Sequence, residues 1–149
     1  MKIRHKNIVA SYLVLIKDNK VLLSKRQNTG YSDGDYSVIA GHLEPGETFT
    51  KAVIREAKEE AGIGLDPEKL VVLHIQHCKS DINASERVHV YFTTKKWKGK
   101  IINKAPEKCK HFKWFDLNHL PSNMDLHVHE ALVNIGKGVV IDHHAELDF

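Results

Sequence analysis

A layered α/β domain is the fold class this chain predicts, and three observations predict it. Apolar and β-branched runs of strand length recur along the sequence, two segments carry helical periodicity with start and stop signals, and strands and helices follow one another without a repeat or a linker-like tract. With 149 residues the chain has the usual size of one domain, so a single domain over 1–149 is expected.

The elements follow in order. Ile8 to Ile16 is nearly continuous in apolar residues, the mark of a strand covered on both faces. Lys17-Asp18-Asn19-Lys20 supplies turn chemistry before Val21-Leu22-Leu23, which predicts a hairpin. Gln27 to Asp35 reads as a loop and Tyr36 to Ile39 as a short strand. Gly41-His42-Leu43-Glu44-Pro45-Gly46-Glu47, with two glycines and a proline, reads as a tight loop without regular structure. Thr48 is an N-cap for a helix over Phe49 to Ala61, and Gly62 stands where a glycine ends one. Leu70 to His77, Arg87 to Thr94 and Phe112 to Phe115 read as strands, and His127 to Ile135 as a second helix closed by Gly136.

Composition excludes several classes. Hydrophobic residues at 42% and charged residues at 28% are ordinary for a globular protein. The net charge of +3 suits an anionic ligand but is also what solubility alone produces. Cys78 and Cys109 lie far apart without a CxxC spacing, so neither a disulfide framework nor a zinc ribbon is indicated and a cytoplasmic setting is expected. No stretch approaches a membrane span or a cleavable leader, so no membrane partner is expected.

Chemistry concentrates on the first helix. At 100° per residue Glu56, Glu59 and Glu60 share an arc of roughly 100° bordering the apolar face of Val53, Ile54, Ala57 and Ala61. Acidic residues on a helix usually form a solvated face. Beside an apolar face, however, like charges at i and i+4 need a cation. Arg55 supplies part of that through Glu59 or Glu47, and oxygen-only ligands of this kind favour Mg²⁺, with Mn²⁺ as a substitute.

The loop before the helix sharpens this reading. Gly41, five residues, Glu47, seven residues, then Arg55-Glu56-Ala57-Lys58-Glu59-Glu60-Ala61-Gly62-Ile63 matches the Nudix box, Gx5Ex7REUxEExGU with U aliphatic, at every fixed position. The chain thus resembles the Nudix hydrolase superfamily, relatives of MutT. Val21 to Arg26 and Trp114 to Pro121 resemble the flanking strands of that family, so most of the chain is covered.

The resemblance implies an α/β/α sandwich with a mixed β-sheet, and an enzyme acting on acid anhydrides that hydrolyses a diphosphate linkage in a nucleoside diphosphate derivative. It implies that Glu56, Glu59, Glu60 and the backbone carbonyl of Ala40 bind metal, and that Glu47 and Arg55 brace the loop around Gly41. Many members have glycine where Ala40 stands, which raises the question of its backbone conformation. Arg26 stands where relatives place a substrate contact, and its fork suits a diphosphate. Glu59 ranks first as the group that takes a proton from water, with Glu60 and Glu107 as alternatives. Cys109, lacking a paired base, reads as a packed thiol, and His127, His129, His143 and His144 receive no role.

Relatives that prefer ADP-ribose often carry a proline some sixteen residues beyond the box, and His77 to Asp81 has none. By elimination a nucleoside triphosphate, cleaved to monophosphate and pyrophosphate, leads. A catalytically silent nucleotide-binding or sensor module is the alternative, although intact glutamates argue against it. Lys95, Lys96, Lys98 and Lys100 around Trp97 read as a charged hairpin tip, so no stable nucleic-acid partner is expected, and a homodimer is left open.

Overall fold

The computed structural model describes residues 1–79 and 86–142. Ser80 and Asp81 of the proline-free stretch, and His143 and His144, lie outside the described residues. Strands β1 (Ile8–Leu13), β2 (Ile16–Lys17), β3 (Lys20–Arg26), β4 (Tyr36–Ser37) and β5 (Ile39–His42) precede helix α1 (Phe49–Ala61). After it come β6 (Val71–Cys78), β7 (Arg87–Thr93), β8 (Cys109–Asp116), α2 (Leu126–Gly136) and β9 (Ile141–Asp142).

One sheet has the order β5-β1-β7-β6-β9, with β1 parallel to β7 and antiparallel to β5, so it is mixed. In the second sheet β3 pairs antiparallel with β2, β4 and β8. Alternation along the strands divides the apolar residues between two cores. Leu13, Leu15, Leu22, Val90 and Phe92 face α1, whereas Val14, Val21, Leu23 and Tyr91 face α2. The helices therefore lie on opposite faces, and the expected α/β/α arrangement is found.

Helix α1 begins and ends where the sequence predicts. Thr48 accepts a hydrogen bond from the Lys51 amide, and Gly62 adopts φ 68°, the left-handed turn open to glycine without steric cost. Its buried face is Ala52, Val53, Ala57 and Ala61, small residues that let the helix axis approach the sheet closely. Burying Val53 alone contributes roughly 1.5 to 3 kcal/mol. Ser11 of β1, fully buried, donates to the Phe49 carbonyl at 2.7 Å and ties the first turn of α1 to the sheet.

Several features differ from the sequence reading, among them the division of the strand read over Tyr36 to Ile39 between β4 and β5. The long first strand breaks into β1 and β2, and the segment read as an irregular loop from Gly41 continues β5 through His42 because Gly41 and His42 pair with Ser11 and Ala10. Helix α2 starts one residue earlier, behind Asp125, whose carboxylate accepts from the His127 and Val128 amides. Gly136 stays inside α2, and the left-handed turn falls to Gly138 at φ 73°.

Under α2 lies a polar network that the sequence did not announce. The buried Gln76 oxygen accepts from Tyr91 at 3.2 Å and meets His89 Nδ1 at 3.2 Å, while the Gln76 amide donates to the His127 carbonyl at 3.0 Å. An oxygen acceptor at Nδ1 requires the proton there, leaving Nε2 to accept from the Tyr12 hydroxyl at 3.4 Å. Burial, then the fields of His127, Arg87 and His42, hold His89 down from 6.5 to about 3.

Unfolding therefore takes up a proton below pH 6.5, so the contribution of His89 is complete above that value and lost as pH falls toward 3. Urea denaturation at pH 5 is expected to give about 2 kcal/mol less stability from this group than at pH 7. His89→Gln flattens the profile, and equal acid sensitivity in both proteins would exclude His89 as its source.

Candidate active site

The turn between β5 and α1 is held by one side chain. Arg55 donates through Nε and Nη2 to the two Glu47 oxygens, both at 2.9 Å, and through Nη2 to the His42 carbonyl at 3.1 Å. Its Nη1 reaches Glu56 at 2.5 Å and Glu59 at 3.3 Å. Glu47 also accepts from the Glu44 amide at 2.9 Å, and these bonds, Arg55 first, hold its carboxyl down at about 2. The guanidinium in turn is pushed above its ordinary value, chiefly by Glu47. Both partners expected for Arg55 on sequence grounds, Glu47 and Glu59, are engaged.

Glu56 and Glu60 project from α1 into a cleft of about 410 Å³, within the size range of small-molecule sites. Burial raises the affinity of both for a proton. In Glu56 the effect is countered by Arg55, whereas in Glu60 burial and the neighbouring Glu56 charge push the carboxyl up to about 8. Glu60 receives the Ala40 amide as a hydrogen-bond donor, and Arg26 and Lys108 act on it only through their fields.

Ala40 sits in extended strand β5 opposite Tyr12, so alanine needs no left-handed backbone there. Gly41 answers a different demand. A Cβ on it would overlap the Glu56 carboxylate and stand 2.7 Å from Glu56 Cγ.

Among the residues singled out on sequence grounds, Arg26, Ala40, Gly41, Glu56 and Glu60 line this cleft. Glu59 does not: its side chain is 58% exposed and held at the rim through Arg55. Glu107 contributes only its backbone carbonyl, which accepts from Asn28 at 3.2 Å. Its neighbour Lys108 faces the cleft instead, because Ala105 accepts the Lys108 and Cys109 amides and turns the chain there.

Cys109 is a packed thiol, as its isolation suggested. It is buried, donates to the His111 carbonyl at 3.4 Å, and burial pushes it up to about 11, so it stays protonated. Sequence reasoning missed Lys108, Tyr12 and the buried Asp125 as cleft residues.

Among the described residues no three His, Cys, Asp or Glu side chains already converge in ligating geometry. The donor chemistry nevertheless fits a hard divalent cation. Two carboxylates face one cleft, and among the described residues the buried one is reached by cationic side chains only through their fields, so a bound divalent cation would offset the cost of burying both.

Comparison with known proteins identifies the family and the fold. An ADP-ribose pyrophosphatase of Methanocaldococcus jannaschii is 34% identical over 108 residues, covering 72% of this chain and 61% of that protein. A NAD-capped RNA hydrolase NudC of Stutzerimonas stutzeri is 28% identical over 112 residues, covering 75% of this chain and 38% of its own length. The chain thus spans less than two thirds of these relatives. The crystal structure of a MutT NUDIX hydrolase from Burkholderia pseudomallei superposes with a TM-score of 0.78 at 23% identity, covering 87% of this chain and 98% of that one, a likeness of fold. Among the described residues no helix is long and apolar enough to cross a membrane. Residues 6–133 match the profile of the NUDIX domain, and with the β5–α1 geometry above this chain belongs to the NUDIX domain family.

Proposed function

We propose that this protein is a divalent-cation-dependent hydrolase that opens the diphosphate linkage of a nucleoside diphosphate derivative. The observation that carries the reading is the pair Glu56 and Glu60, two carboxylates whose proton affinity burial raises at the floor of one cleft. Glu56 and Glu60, with the Ala40 carbonyl, would hold Mg²⁺, or Mn²⁺ in its place, and Glu59 at the rim would act on it through a coordinated water. Bound there, the cation supplies Lewis-acid polarisation of phosphoryl oxygens and a more acidic water.

The chain's own groups supply the rest. Arg55 and Glu47 keep the turn rigid so that Gly41 and Ala40 stay beside the carboxylates. Lys108, facing the cleft, offers a mobile ammonium to the diphosphate. In the reaction the water oxygen forms a new bond to phosphorus, the bridging P–O bond breaks, and the departing phosphate leaves as an anion. The water proton passes to Glu60 in preference to Glu59, because Glu60 lines the cleft whereas Glu59 is held at its rim, and a cation bound beside Glu60 would hold it ionised and able to accept.

A nucleoside triphosphate, giving monophosphate and pyrophosphate, is the substrate reached by elimination. A second reading, an ADP-ribose-type dinucleotide or sugar diphosphate, is favoured by the archaeal relative of that name. A panel of nucleoside triphosphates, ADP-ribose and NADH, assayed with Mg²⁺, Mn²⁺ or EDTA, separates the two. Pyrophosphate release supports the first, whereas AMP with ribose 5-phosphate supports the second. Binding without turnover under every condition would leave the silent-module reading standing and reject the enzyme.

A further inference from the structure

The loop after β3 is more ordered than a connection requires. Asp33 accepts from the Thr29 amide at 2.9 Å, the Thr29 hydroxyl at 2.6 Å and the Gly30 amide at 3.1 Å. These contacts hold its carboxyl below the usual carboxylate range, Thr29 first. Four residues of the loop, Asn28, Gly30, Ser32 and Gly34, adopt positive φ, a winding that an unconstrained loop would not choose. The loop is tied outward as well, through Gln27 to the Pro106 carbonyl at 2.6 Å and Asn123 to the Gly34 carbonyl at 2.9 Å.

What this frame presents is a layer of two flat groups. The Arg26 guanidinium lies over the Tyr31 ring, 4.2 Å from its centre, within the range of a cation–π contact. Arg26 Nη2 donates to the Thr29 hydroxyl at 2.8 Å and Nε to the Tyr31 carbonyl at 3.3 Å. The side edge of the guanidinium, Nε with Nη2, is therefore committed to the loop. Tyr31 is 52% exposed, and both residues line the cleft that holds Glu56 and Glu60. A rigid aromatic ring left half open at a polar cleft has stacking, rather than packing, as its available interaction.

We infer that Arg26 and Tyr31 form a stacking platform for the heteroaromatic base of the substrate, so that the loop carrying them determines specificity while Lys108 serves the phosphates. The inference rests on the nucleotide reading of the cleft and adds what selects the nucleoside end. Arg26 then acts through its face and through Tyr31, in addition to any contact that its Nη1 edge makes to the diphosphate.

The test uses AMP and ribose 5-phosphate, which differ by the base, titrated calorimetrically into the full chain in EDTA. AMP is expected to bind about tenfold more tightly than ribose 5-phosphate, and the base protons of AMP to shift upfield on binding. In Tyr31→Leu the advantage is expected to shrink below about threefold with ribose 5-phosphate affinity unchanged, while Tyr31→Phe keeps it. The platform is overturned if AMP has no advantage in the parent protein, including binding of neither ligand. It is also overturned if Tyr31→Leu keeps the advantage or weakens both ligands in parallel. Hydrolysis without a base advantage sinks the platform alone. Base-selective binding without hydrolysis sinks only the enzyme reading.

Discussion

Replacing Glu60 by glutamine is expected to lower kcat by at least about a hundredfold while leaving the fold intact. Glutamine keeps an oxygen to accept the Ala40 amide but neither takes a proton from water nor contributes charge to a bound cation. The structure makes a stability control available. The Glu60 carboxyl is raised from 4.5 to about 8, so the folded state holds a proton that the unfolded state releases. Free of divalent cations, the parent protein is stabilised by this group below pH 4.5 and loses that contribution as pH rises through about 8. The glutamine variant has no such loss, so at pH 8 in EDTA it should melt at or above the parent temperature.

A variant that melts lower would have failed structurally, and its lost activity would mean nothing for the chemistry. Glu59→Gln provides the comparison, because that carboxylate sits at the rim, hydrogen-bonded to Arg55. Its kcat should fall by less than about tenfold. If Glu59→Gln is the more damaging change, the proton-accepting role returns to Glu59.

The contrast between these two glutamates marks where sequence stopped being informative. The helical wheel put Glu56, Glu59 and Glu60 on one arc, and the helix and both its caps are where the capping residues put them. The arc spans roughly 100°, however, and Glu59 stands at its far end from Glu60, on the side of Arg55 and outside the cleft lining. Helical periodicity gives direction around one axis; which part of that direction opens into a cavity depends on the strands opposite.

The same limit explains Lys108. Its loop turns on the Ala105 carbonyl, and that turn alone sends Lys108 inward and leaves Glu107 with a backbone role. Nor does strand patterning within one segment place His89 against Gln76, because that contact comes from the β6–β7 pairing, in which the two are direct cross-strand partners. Strand pairing also overrode a local signal at Gly41, where partners in β1 keep the backbone extended despite glycine's freedom.

Gly41→Ala is expected to reduce turnover by about a hundredfold, an effect close to that of removing a glutamate although a single methyl group is added. Gly41 has no positive φ, so alanine meets no backbone strain; the obstacle is space. The new Cβ would fall on the Glu56 carboxylate and 2.7 Å from Cγ, and moving only the end of the side chain does not clear the second contact. Glu56 must change rotamer from its base, which withdraws it from both the cleft and Arg55 Nη1.

Arg55 keeps Glu47 and the His42 carbonyl, so the turn survives and the cost in stability should stay near 1 kcal/mol. The loss should appear in Mg²⁺ affinity, read by calorimetry in the absence of substrate, as strongly as in kcat. Unchanged Mg²⁺ affinity beside a hundredfold loss of turnover would mean that Glu56 serves the reacting phosphate rather than the cation. Unchanged turnover would mean that the close approach of Gly41 to Glu56 is incidental to the site.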